Sequence, residues 1–138
     1  MQTKLNPYLG FKGTARDAME FYKTVFGGTL ELHTFKESNA SANPSEDALI
    51  MHAILTSDNG FTFMASDTPG SMEYKPGTNF SMSLNGDNKQ EITTYFNKLS
   101  DGGVITQPLA EAPWGDIFGM LIDKFGIQWM VNITKSNP

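Results

Sequence analysis

The chain has 138 residues, with 15 acidic and 10 basic side chains for a formal net charge of −5, ten Phe and no Cys. That length suits one domain that buries its own core without disulfides or a structural metal, and the acidic balance, lacking any run of Lys or Arg, argues against a nucleic-acid partner. The missing cysteines remove thiol nucleophiles and thiolate ligands; no apolar stretch approaches the ~20 residues of a membrane span, and MQTKLNPYLG lacks the regions of a signal peptide, so a cytoplasmic setting without membrane contact is expected.

An extended apolar segment, Leu5 to Phe11, opens the chain. Thr14 then predicts a helix start as a capping residue, with Asp17 favouring the positive helix end. Ala15, Met19, Tyr22 and Phe26 follow at helical spacing, and Gly27-Gly28 supplies the stop. Three strand-like segments come next: Thr29 to Phe35, Ala48 to Thr56 and Phe61 to Ala65, the last two joined by a hairpin at Asn59-Gly60. Lys36 to Asp47 reads as a solvated, mobile loop, and Thr68 to Thr78 as a linker of the same character.

The order then repeats. A strand over Asn79 to Asn85 leads to a second helix with Asp87 as N-cap, Gln90 three residues on, and a stripe of Ile92, Tyr95, Phe96 and Leu99 before Gly102-Gly103. Strands over Val104 to Gln107, Asp116 to Ile122 and Ile127 to Ile133 complete it, with Lys124-Phe125-Gly126 as the final turn. Phe21-Tyr22-Lys23 recurs as Phe96-Asn97-Lys98 with a spacing of 75, and the hairpin Gly60-Phe61-Thr62-Phe63-Met64 recurs as Gly126-Ile127-Gln128-Trp129-Met130 with a spacing of 66. The fold class is α+β: one domain over residues 1–138 made of two tandem βαβββ halves, 1–67 and 79–138, with largely antiparallel strands.

Pro7-Tyr8-Leu9-Gly10-Phe11, Ala18-Met19-Glu20-Phe21-Tyr22, Phe26-Gly27-Gly28, Met64-Ala65-Ser66-Asp67, Trp114-Gly115-Asp116 and Asp123-Lys124-Phe125-Gly126-Ile127-Gln128-Trp129 together resemble the PhnB-like branch of the glyoxalase/bleomycin-resistance (vicinal oxygen chelate) superfamily. The match covers nearly the whole chain. Members of this branch often carry the label 3-demethylubiquinone-9 3-methyltransferase, although no Gly-rich methyl-donor pocket on a parallel sheet is visible here. The resemblance implies cupped sheets around a shared cavity, commonly completed by a second subunit. In the metal-using families it also implies four ligands, which map near Asn6 or Pro7, at Met64, near Asn79 and at Met130. None is His, Asp or Glu, and thioethers compete poorly for hard divalent ions. No metal and no cofactor are therefore expected.

His52 alternates with the apolar residues of its strand, so it either lines the cavity as an acid, base or donor, or is a structural histidine satisfied by a backbone carbonyl, the preferred reading. His33 reads as surface or sheet edge. Asp67 reads first as a turn cap and second as a pocket residue, and Asp116 and Asp123, which bracket one strand, read as solvated turn residues ahead of an acid/base pair. Phe61, Phe63 and Trp129 read as core, whereas Trp114, in the loop Ala112-Pro113-Trp114-Gly115, reads as a recognition residue. The candidate ligand pocket comprises Tyr8, His52, Met64, Asp67, Asn79, Trp114 and Met130. The leading functional expectation is a metal-free homodimer that binds a small, partly aromatic molecule. The competing one is a metal-dependent enzyme of the glyoxalase, dioxygenase or resistance type with displaced ligands, such as His52 with Asp67 or Glu111; a third is a regulatory or structural dimer with no ligand.

Overall fold

A computed structural model describes residues 2–135 of the chain, which divides into two compact units, Met1–Pro76 and Gly77–Pro138. The first unit contains β1 (Tyr8–Phe11), α1 (Ala15–Phe26), β2 (Thr29–Thr34), β3 (Ile50–Thr56) and β4 (Thr62–Asp67). Its sheet has the order β1-β4-β3-β2, with β1 parallel to β4 and the other pairs antiparallel. The second unit contains β5 (Met82–Gly86), α2 (Lys89–Ser100), β6 (Val104–Glu111), β7 (Ile117–Ile122) and β8 (Gln128–Ile133). Its order, β5-β8-β7-β6, repeats the first. Two four-stranded mixed sheets with one helix each make the chain α+β, as the alternation of elements predicts.

Strand alternation divides each sheet into a helix-covered face and an open face. In the first unit Leu9, Phe11, Ala53, Leu55, Phe63 and Ala65 are buried on the covered face. Against them α1 packs Met19, Tyr22 and Phe26, with Phe63 meeting the rings of Tyr22 and Phe26 edge-on at 5.6 and 6.1 Å. In the second unit Ile92, Phe96 and Leu99 of α2 are buried, and Leu84, Leu121, Trp129, Val131 and Ile133 are buried on the sheet. Phe63 and Trp129 are core, as expected, while Phe61 at a strand entry is 37% exposed.

The first helix starts after Thr14 as expected, but its capping bond differs, and the second helix has another N-cap. Thr14 makes no side-chain cap; Asp67, at the end of β4, accepts instead from the amides of Gly13 and Ala15. The second N-cap is Asn88 and not Asp87, its carboxamide oxygen accepting from the Glu91 amide. Both leading strands are shorter than predicted, beginning at Tyr8 and Met82. Pro7 has no amide to donate, although its carbonyl still accepts from Met64. Conversely β6 runs on to Glu111 through Pro108, with register shifts between Ile105 and Ala110. As an edge strand paired only with β7, it tolerates a residue without an N–H.

The glycine pairs after the helices are required by contact. A Cβ on Gly28 would stand 2.0 Å from the Thr56 carbonyl oxygen, and one on Gly103 2.3 Å from that of Ile122. Each helix therefore returns to the sheet by passing directly against the end of the neighbouring strand. The segment 36–47 holds a short 3-10 helix at Pro44–Glu46, where Asn43 accepts from the Ser45 amide and Ser41 Oγ donates to Asp47. Far from being wholly solvated, it buries Glu46.

Candidate functional site

The open faces carry the side chains that neither core consumes. In the first unit Tyr8 and Met64 are partners in register across the β1–β4 pair, and Met64 in turn partners Ile54 of β3. His52 lies on that same face, where a hydrogen bond joins its Nδ1 to the Tyr8 phenol oxygen at 3.1 Å. The rings are 5.8 Å apart between centroids. The histidine is thus satisfied by a side chain on the open face and not by a backbone carbonyl. With Nδ1 engaged, Nε2 is left to donate or accept toward a ligand. His33 stands opposite His52 on the exposed edge strand β2.

In the second unit the open face carries Ser83, Phe118, Met120, Met130 and Asn132, by alternation and register. Trp114, 60% exposed in the loop between β6 and β7, lies edge-on to Phe118 with ring centroids 5.4 Å apart. Its indole N–H donates to Asn132 Oδ1 at 3.1 Å. Asn132 Nδ2 donates to Asp116 Oδ2 at 2.9 Å, so the carboxamide is fixed from both ends and the indole is aimed by it. Phe118 and Asn132 were not singled out in the sequence. The available signal was an amide inside the otherwise apolar run Val131-Asn132-Ile133.

Asp67 is brought to neither open face. It is 3% exposed on the helix-covered side of β4, accepting from Gly13, Ala15 and Ile50 amides at 2.8, 3.0 and 2.9 Å. It caps backbone, but that of the α1 entry and of β3 and not of the turn that follows it, and His52 lies on the opposite side of the same sheet. Glu111 forms an ion pair with Lys135 at 3.0 Å. Asp123 is buried and not solvated: it accepts from the Phe125 and Ile127 amides and, through Oδ2, from Trp129 Nε1 at 2.8 Å. Asn79 is exposed and precedes β5, so the residue beside Met130 is Ser83. The expected leading-strand positions were displaced because both strands begin later than the sequence suggests.

The metal that the resemblance implies finds a poor donor set. Tyr8 is in register with Met64 in the first unit and Ser83 with Met130 in the second, so each unit by itself offers one thioether beside a phenol or a hydroxyl. A hard divalent ion prefers carboxylate, carbonyl or imidazole donors. Among the described residues no group of three or more His, Asp or Glu side chains is arranged to hold a metal ion. These residues do not fit a chelated divalent cation.

The family model described as 3-demethylubiquinone-9 3-methyltransferase matches residues 3–132. Protein YjdN of Escherichia coli (strain K12) is 30% identical over 97% of both chains. Among solved structures, protein PA1353 from Pseudomonas aeruginosa aligns with a TM-score of 0.82 at 38% identity, covering 98% of this chain and all 100% of that one. A Bacillus cereus protein described as a putative 3-demethylubiquinone-9 3-methyltransferase, PhnB protein, gives 0.75 at 28% identity over 96% and 100% of the two chains. A glyoxylase/bleomycin resistance protein/dioxygenase domain from Frankia sp. EAN1pec shares the fold alone, with 0.66 at 11% identity over 100% and 96%. With a βαβββ order repeated in two units and a family match over nearly its whole length, the chain belongs to the 3-demethylubiquinone-9 3-methyltransferase-like (PhnB) family of the glyoxalase/bleomycin resistance fold.

Proposed function

We propose that the chain is a metal-free small-molecule-binding protein that takes a small, partly aromatic ligand on its open sheet faces and works as a cytoplasmic homodimer. The observation that carries this reading is the Trp114–Phe118–Asn132–Asp116 assembly, an exposed indole with a hydrogen-bonded anchor beneath it. A large exposed aromatic held in one orientation loses little freedom on binding and offers a flat apolar surface. Met120 and Met130 on the same face supply polarisable, adaptable contacts. On the open face of the first unit, taken by itself, Tyr8 and His52 form a polar pair of the kind that binds an oxygen or nitrogen.

The dimer draws support from β6, an edge strand on which Val104 and Ile105 are 62% and 47% exposed. Exposed apolar edges are commonly covered by a two-fold partner. The metal-dependent alternative needs His52 to act with Asp67 or Glu111. It gains no support from an Asp67 committed to three backbone amides or a Glu111 paired with Lys135. For methyl transfer, the sheets supply no glycine-rich turn between a parallel strand and a helix of the kind that seats a nucleotide-like donor.

Native mass spectrometry and elemental analysis of dialysed protein test the proposal. The expected result is a dimer carrying a small organic adduct that Trp114→Ala loses, with no stoichiometric metal. Near-stoichiometric zinc, nickel or manganese that disappears in His52→Ala would overturn it in favour of a metalloenzyme.

A further inference from the structure

A cleft lies within the first unit, lined by none of the open-face residues Tyr8, His52 and Met64. It measures about 560 Å³ and sits between the 3-10 segment, the turn before α1 and the stretch 68–74. That volume falls within the ~300–1,000 Å³ range of small-molecule sites. Its distinctive feature is Glu46, only 9% exposed. Oε2 of Glu46 accepts from the Gly70 amide at 2.7 Å. Oε1 has no hydrogen-bond partner and the carboxylate no ion pair among the described residues. No buried side-chain oxygen among the described residues lacks a partner, so Oε1 opens to the cleft, where an unpaired carboxylate on a largely buried side chain offers a bound cation its counter-charge.

The carboxylate is held in place. Asn43 caps the 3-10 helix that carries Glu46, and a Cβ on Gly70 would approach Oε2 to 3.2 Å, so a side chain there would crowd the bond. Around it, Leu49, Pro69, Met72 and Tyr74 line the cleft with apolar and aromatic surface. The other acidic group, Glu73, is exposed and paired with Lys75 at 3.3 Å. Lys12 stands on the wall and makes no ion pair with Glu46. We propose that this cleft binds a small organic cation, a protonated amine on an apolar body, with Glu46 as the counter-charge and Tyr74 as a ring for cation–π contact. The site is independent of the open-face reading.

Calorimetric titration of the full chain with 2-phenylethylammonium tests it, with 2-phenylethanol and 3-phenylpropanoate as neutral and anionic counterparts. Saturable binding of the ammonium is expected, at least about tenfold tighter than the alcohol. Glu46→Gln retains an oxygen for the Gly70 amide and should abolish that preference, while Trp114→Ala leaves it intact. Lys12→Glu, at an exposed position, should tighten the ammonium several-fold and serves if the Glu46 variant fails to fold. Three outcomes overturn the proposal: no ammonium binding at millimolar concentration, unchanged affinity in Glu46→Gln, or loss in Trp114→Ala alone. Tighter binding of the carboxylate than the ammonium would overturn it as well.

Discussion

In each unit the hairpin that closes the sheet begins on a buried side chain accepting from the amide four residues on: Ser57 from Phe61 in the first, Asp123 from Ile127 in the second. The main-chain bonds around them also correspond, Ser57 with Phe61 and Gly60, and Asp123 with Ile127 and Gly126. The side chain differs because of what lies two residues further along. Phe63 brings an all-carbon ring into the first core, whereas Trp129 brings an indole N–H that needs an acceptor, and the second oxygen of Asp123 provides it. The helix starts differ in the opposite sense. A remote carboxylate, Asp67, organises the entry to α1, while its counterpart 66 residues on is Ile133 and α2 relies on the local Asn88. One topology thus tolerates two distributions of buried charge, provided each backbone donor finds a partner.

The largest effect should come from Trp129→Ala. Truncating a buried ring costs about 3–5 kcal/mol, and here it also strips Asp123 Oδ2 of its donor. Chemical denaturation should show the midpoint falling further than in any other variant considered below. A loss no greater than that of Trp114→Ala would reverse the assignment of core and recognition residues.

Asp67→Ala should rank next. It leaves the Gly13, Ala15 and Ile50 amides without their acceptor, and at about 1–3 kcal/mol for each unmet buried donor, eased by water entry, a loss of about 3 kcal/mol is expected. Asn88→Ala, which removes an exposed local cap, should cost only about 1 kcal/mol. Equal losses would mean that the carboxylate from β4 organises nothing beyond an ordinary cap.

Asp123→Ser gives the second hairpin the chemistry of the first. The hydroxyl can still accept from the Ile127 amide, but the indole N–H is left without a partner, which should cost about 2 kcal/mol. In a Trp129→Phe background the same change should cost clearly less, because the donor is gone. A double-mutant cycle measures that coupling, and additive losses would show that the Asp and the Trp do not depend on each other.

The duplicated order was legible because it rests on local signals: helical spacing in Ala15 to Phe26, the glycine pairs, and turn glycines such as Gly60 and Gly126 at φ +86° and +88°. The caps were less legible. Thr14 and Asp87 are sound local choices, but Asp67 reaches α1 from a strand more than fifty residues away, and no local rule anticipates that. Strand starts failed for a related reason, since the register with β4 and β8 determines where β1 and β5 begin. Of the candidate site residues, Tyr8, His52, Met64, Trp114 and Met130 lie on open faces; Asp67 and Asn79 do not. The polar anchors of Trp114 stayed hidden because they depend on cross-strand neighbours.

A small stability effect, of the same order as that of Asn88→Ala, should come from Trp114→Ala, the variant most informative about function. The indole is 60% exposed, so its removal forfeits an edge-on contact with Phe118 and one hydrogen bond to Asn132. An exposed aromatic contact and a neutral hydrogen bond together are worth about 1–2 kcal/mol. Asn132 retains its bond to Asp116, so the face beneath should stay ordered. Because Trp129 is buried and Trp114 is not, fluorescence separates the two: an aqueous quencher should suppress the Trp114 component, and a bound aromatic ligand should protect it. Trp114→Phe should keep part of the apolar surface while losing the Asn132 bond, and its affinity should fall between wild type and the alanine variant. If Trp114→Ala instead leaves ligand binding unchanged while lowering stability as far as Trp129→Ala does, the indole is a second core residue and the open face of the second sheet is not where the ligand sits.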